Sequence, residues 1–134
     1  MARVPGRLFG TVYRPIVDVH LRLPNGRQLF VPAIVDSGAD DTTVPASILA
    51  AQKIGWNTLK PAPVPTTTGV GGSVEQRVCA VAARYDGRLF CTRVLVVQEL
   101  KISVVGRSDF FQTFRVDFTP WNENPPAVDI ERRN

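Results

Sequence analysis

The chain has 134 residues, 44% hydrophobic and 21% charged, with a mean hydropathy near zero. That size suits one compact domain with a single core, here 1–134 as one domain with its centre at about 16–118. No apolar run approaches the roughly 20 residues that span a bilayer, and the stretch 1–7 lacks the apolar segment of a secretory leader. A soluble, cytoplasmic chain with no membrane partner is expected. The net charge of +4 comes from basic residues scattered along the chain rather than gathered in a run, so a solvated surface is expected, with no nucleic acid as partner.

Two-residue periodicity dominates the chain. Val17, Val19, Leu21 and Leu23 alternate with Asp18, His20 and Arg22, a strand with one buried face. Asn25-Gly26 then signals a tight turn, because both positions tolerate positive φ, and 28–35 reads as the return strand. Proline at 45 followed by alanine and leucine predicts a short helix over 45–53, stopping at Gly55. The stretch 61–72 is rich in proline, threonine and glycine and carries no core pattern. A second hairpin is predicted over 74–85 and 88–98, turning at Asp86-Gly87. One or two helical turns are expected over 106–112, a strand over 114–118, and turns over 121–126. Together these predict an all-β domain, a small closed barrel with one or two short helices. Cys79 and Cys91 fall in adjacent predicted strands and could face each other, although two half-buried thiols of an intracellular protein are the expectation. With His20 the only histidine, on the polar side of its strand, neither a metal nor another cofactor is expected.

The most informative segment is Ala33-Ile34-Val35-Asp36-Ser37-Gly38-Ala39-Asp40-Asp41-Thr42. An apolar strand delivers a carboxylate to a defined point, a small hydroxyl residue can hold a neighbouring loop, and Gly38 lets another backbone approach closely. Asp-Ser-Gly by itself also makes an ordinary Asx-type turn.

Three stretches, in order, resemble the retropepsin family of aspartic proteases. Asp36-Ser37-Gly38-Ala39-Asp40-Asp41-Thr42 is similar to the family's active-site loop. Thr68-Gly69-Val70-Gly71-Gly72-Ser73-Val74 is similar to the glycine-rich tip of its flap hairpin. Ile102-Ser103-Val104-Val105-Gly106-Arg107 is similar to the apolar-Gly-Arg signature before the C-terminal helix. The resemblance implies a retropepsin-like acid-protease barrel and an aspartic endopeptidase. Its chemistry needs two carboxylates, and only Asp36 lies in such a loop here, so the resemblance implies a homodimer acting on a peptide or protein substrate. Position by position it implies a substrate contact at Gly38, a structural ion pair between Asp40 and Arg107, and a contribution from Asp41 at the pocket edge. Gly69, Val70, Gly71 and Gly72 would cover the bound peptide, and Ile102 and Val104 would line subsites beside the scissile bond. Serine at 37 replaces the threonine of most viral members. The long segment 43–67 resembles cellular and bacterial members more than viral ones. In viral members the chain ends build much of the dimer interface, and nothing beyond Pro120 matches that pattern.

Other readings of the same residues stand beside this one. Asp36 could cap a turn, and the glycines at 69–72 could form a plain hairpin turn. Ser37 lacks the Gly-x-Ser-x-Gly elbow of a hydrolase nucleophile, and no Gly-Lys-Ser/Thr marks a phosphate cradle. The main alternative function is a catalytically weak or inactive retropepsin-like module that dimerises or binds peptides.

Overall fold

The computed structural model describes residues 1–69 and 72–134, with side chains described outside 65–72. Strands β1 (Ala2–Pro5), β2 (Arg7–Phe9) and β3 (Val12–Arg14) open the chain. Strands β4 (Ile16–Arg22) and β5 (Gln28–Val35) form a long hairpin, and β6 (Thr43–Pro45) leads into helix α1 (Ala46–Ala51). After a 3-10 turn at Trp56–Thr58 come β7 (Lys60–Gly69) and β8 (Gly72–Cys79). Next are β9 (Ala82–Tyr85), β10 (Arg88–Cys91), β11 (Val94–Val97) and β12 (Ser103–Val105). The four-residue helix α2 (Phe110–Thr113), β13 (Phe114–Asp117), a 3-10 turn at Thr119–Asn122 and β14 (Ala127–Arg132) complete the chain.

Nine strands form one sheet in the order β10-β9-β4-β5-β12-β6-β11-β8-β7. The closed barrel expected from the sequence is corrected here. The sheet is an open, curled half-barrel whose end strands β10 and β7 do not pair with each other. Backbone chemistry accounts for one free edge, since Pro61, Pro63 and Pro65 of β7 have no N–H to donate to a further strand. At the other edge, β10 is four residues long and its register against β9 shifts between Leu89 and Cys91.

Alternation places the core. Along β4, Val17, Val19 and Leu21 are buried while Asp18 and Arg22 are exposed, and β5 answers with Val31, Ala33 and Val35 inside. The turn between them is three residues rather than two. Gly26 donates to the Leu23 carbonyl and Leu23 to that of Arg27, with only Gly26 at positive φ (+83°). Pro24 pre-sets the first turn residue, so Asn25 need not leave the ordinary region. At Asp86-Gly87 both residues do take positive φ (49° and 74°), the geometry of a two-residue primed turn.

The predicted second hairpin is interrupted midway in both arms. Its tip pairs β9 with β10, its base pairs β8 with β11, and β9 also joins β4. Under the curl, Phe90, Phe110 and Phe114 pack edge-to-face or tilted, with centroids 4.8–6.4 Å apart, and Tyr85 joins them. This cluster anchors α2 to the sheet. Cys79 and Cys91 are free and both buried.

The stretch 121–126, read from the sequence as turns, leads into β14, which that reading did not mark and which is the middle strand of a separate sheet β1-β14-β13. Ala2 stands opposite Ile130 and Val116 opposite Ile130 on the other side. The two ends of the chain are thus joined to each other. Among the described residues, no helix is long and apolar enough to cross a membrane.

Candidate active site

Asp36 follows the last residue of β5, where the buried strand meets the surface. Its N–H donates to the Val105 carbonyl (3.1 Å), and its carboxylate Oδ1 accepts from the Gly38 N–H (2.8 Å). A further bond from the Ala39 N–H to the Asp36 carbonyl (3.2 Å) closes the turn. β12 runs parallel to β5, with Val104 opposite Ile34, and on its other side Val104 faces Thr43 of β6. The loop 36–42 therefore leaves one neighbour of β12 and returns as the other, passing over the end of β12.

The segment after β12 grips the second half of that loop. Arg107 N–H donates to the Ala39 carbonyl (2.9 Å) and Ser108 N–H to that of Asp40 (2.8 Å). Ser108 Oγ donates to Asp41 Oδ1 (2.6 Å), and the Arg107 guanidinium to Asp40 Oδ1 (2.5 Å). Gly106 permits the contact, because a β-carbon there would meet three backbone atoms of 39–41 at 2.8–2.9 Å. Asp109 completes the grip. Its carboxylate accepts from Thr42 Oγ1 (2.7 Å), from the Thr42 N–H (3.2 Å) and from the Phe110 N–H (2.6 Å), the last capping α2. The aromatic cluster that seats α2 thereby positions the loop.

Asp36, Ser37, Gly38, Asp40 and Asp41 are exposed and Ala39 is half-buried. A groove of about 720 Å³ opens beside them, lined by Asp36, Gly38, Ala39, Asp40 and Asp41. Val64, Val74, Leu95, Val97, Leu100 and Val104 supply its apolar walls. Ile102 lies outside that lining, 8% exposed. Gly69 and Gly72 pair at the end of the β7–β8 ladder, while Val70 and Gly71 lie outside the described residues. Where that ladder shifts register, the nearly buried Gln76 donates from Nε2 to the Val64 carbonyl (3.0 Å).

Asp109 and Gln76 were missed in the sequence, and Thr42 figured there only as the end of the 36–42 motif. Only Asp109 left a local sign, an aspartate directly before Phe110-Phe111 that reads as a helix cap. Burial, with Asp109 nearby, pushes the Cys91 thiol up to about 12. Among the described residues, no three His, Cys, Asp or Glu side chains converge as a metal site.

Fold and site geometry together define the retropepsin-like aspartic-protease fold, and solved structures carry the same one. EIAV protease in complex with the inhibitor HBY-793 is 24% identical, covering 79% of this chain and 92% of that chain at a TM-score of 0.59. A retropepsin-like aspartic protease from Rickettsia conorii is 16% identical, covering 96% and 97% at a TM-score of 0.62. No protein-family model and no curated protein matches the sequence.

Proposed function

We propose that this chain is an aspartic endopeptidase that works as a homodimer, each copy contributing Asp36. The observation that carries this reading is the setting of Asp36. It ends a buried strand, its loop shares six hydrogen bonds with residues 107–109, and yet its carboxylate is exposed beside an open groove. So much scaffolding around one exposed acid suits a half-site that a second copy completes.

Two carboxylates brought about 3 Å apart cannot both ionise, so they share one proton. The ionised one takes a proton from a water as its oxygen attacks the scissile carbonyl carbon. The protonated one donates a hydrogen bond to the carbonyl oxygen and neutralises its developing charge. Transfer of a proton to the amide nitrogen then lets the C–N bond break, releasing an acid and an amine. Gly38 would accept from the substrate backbone, and Gly69 and Gly72 would let the β7–β8 ladder close over it. The apolar walls at Val97, Val104 and Leu95 favour apolar side chains beside the cut.

The test is mass-spectrometric cleavage profiling of a peptide library by wild type and Asp36→Asn, from acidic to neutral pH. Cuts by wild type that vanish in Asp36→Asn are expected. Equal cutting by both would overturn the assignment of Asp36. Absence of cutting by a folded dimer that still binds peptides would favour the non-catalytic module.

A further inference from the structure

Hairpin β2–β3 belongs to neither larger sheet, and every residue from 7 to 14 is exposed. Its register puts Leu8 with Tyr13 on one face, and Arg7, Arg14, Phe9 and Val12 on the other. Large apolar side chains therefore stand on both faces: Leu8 is 60% exposed, Val12 50%, Tyr13 47% and Phe9 37%. A lone two-stranded ribbon is marginal in water, and a concentration of exposed apolar side chains marks a surface that something covers.

The hairpin's position names the occupant. Arg7 makes two hydrogen bonds of 2.9 Å to the Asp18 carboxylate, which turns the Arg7 face toward its own chain. On that same face, Phe9 and Arg14 share a depression of about 400 Å³ with Ile34, Asp36 and Ser37. The Leu8–Tyr13 face is turned the other way. In a two-fold dimer whose axis passes between two Asp36 carboxylates, an element beside Asp36 lies beside the second copy too, because an isologous contact repeats the same surface. Arg14, which makes no ion pair among the described residues, brings positive charge to the place where those carboxylates meet. Nor is β14 available as a joining strand, since β1 and β13 occupy both its edges.

We infer that the β2–β3 hairpin is the dimerisation arm of this protein, its Leu8–Tyr13 face packing on a second copy of the chain next to the Asp36 loops. This inference rests on the dimeric reading above and adds the element that makes the dimer.

Sedimentation equilibrium on the full chain tests it, comparing wild type, Leu8→Ser/Tyr13→Ser and Asp36→Asn. Both hairpin side chains are exposed, so circular dichroism of the double variant should match wild type. Its dimer dissociation constant should rise at least about 30-fold, the loss of one well-packed anchor, while Asp36→Asn stays dimeric. A dimer unaffected by the double substitution overturns the arm and leaves the dimeric enzyme standing. A wild type that remains monomeric and makes no Asp36-dependent cuts overturns both. Unchanged dimer affinity with lost binding to phosphatidylcholine–phosphatidylglycerol vesicles would overturn the arm in favour of a membrane contact. As a check independent of the double variant's folding, a benzophenone amino acid replacing Tyr13 should photo-cross-link two copies; products confined to one chain would overturn the inference.

Discussion

Gly106 lies directly against the peptide that joins Asp40 to Asp41, so close that a β-carbon would stand 2.8 Å from the Asp40 carbonyl carbon. The obstructing atoms are backbone and cannot rotate aside. Gly106→Ala should therefore push the loop off the segment that holds it. Overpacking of this kind costs about 1–3 kcal/mol, measurable by urea unfolding, and Asp36-dependent cleavage should fall with it. A variant as stable and active as wild type would mean the loop is not held there.

Asp109 joins the loop to α2 with three accepted hydrogen bonds, two of them from the buried Thr42. Asp109→Ala loses a helix cap and strands both Thr42 donors, which should destabilise the chain by about 2–4 kcal/mol. Asp109→Asn keeps one acceptor oxygen and should recover part of that. Equal unfolding midpoints for the two variants would contradict the capping role.

The Asp40–Arg107 pair differs, because its side chains are 77% and 59% exposed. Exposed ion pairs contribute about 0–1 kcal/mol. Arg107→Ala should thus shift stability by less than Asp109→Ala does, the backbone bond from 107 to Ala39 remaining in place. A larger loss in dilute solution would show that the guanidinium, rather than the backbone, holds the loop.

Ser103 sits in β12 with its hydroxyl buried and unpartnered among the described residues. A buried polar group without a hydrogen bond costs about 1–3 kcal/mol. Ser103→Ala should accordingly be neutral or raise the melting temperature, which calorimetry reads directly.

The Cys91 thiol, pushed up to about 12 by burial, should resist alkylation. At pH 8 roughly one such thiol in ten thousand is ionised, and the thiolate is the nucleophile. Iodoacetamide should spare Cys91 in native protein and label it in urea. Because the folded state holds this proton more tightly, the associated stability is present below the unfolded value near 9 and declines as pH rises toward 12.

Local chemistry was legible in the sequence, and long-range pairing was not. Asp86-Gly87 announced its turn because both residues tolerate the left-handed region they occupy. The 36–42 loop and the 102–107 stretch stood out as motifs, yet nothing in either revealed that Val104 would lie between Ile34 and Thr43. The open sheet edge depends on which strand meets β7, a matter of three prolines and an absent partner rather than periodicity. β14 does alternate, with Val128 and Ile130 inward, but it follows the turn-like 121–126 directly and carries no motif that marks it. β1, Ala2-Arg3-Val4-Pro5, has almost no strand pattern of its own. It is a strand because β14 supplies the other half.

That partnership fixes an order of assembly. Ala2 and Ile130 meet across nearly the whole chain, and closing so long a loop is entropically costly until most other contacts exist. During synthesis β1 must wait, unpaired, until β14 has also left the ribosome. The sheet at the chain ends is therefore the final piece to form, and its backbone amides should be the last to gain protection in pulse-labelled refolding.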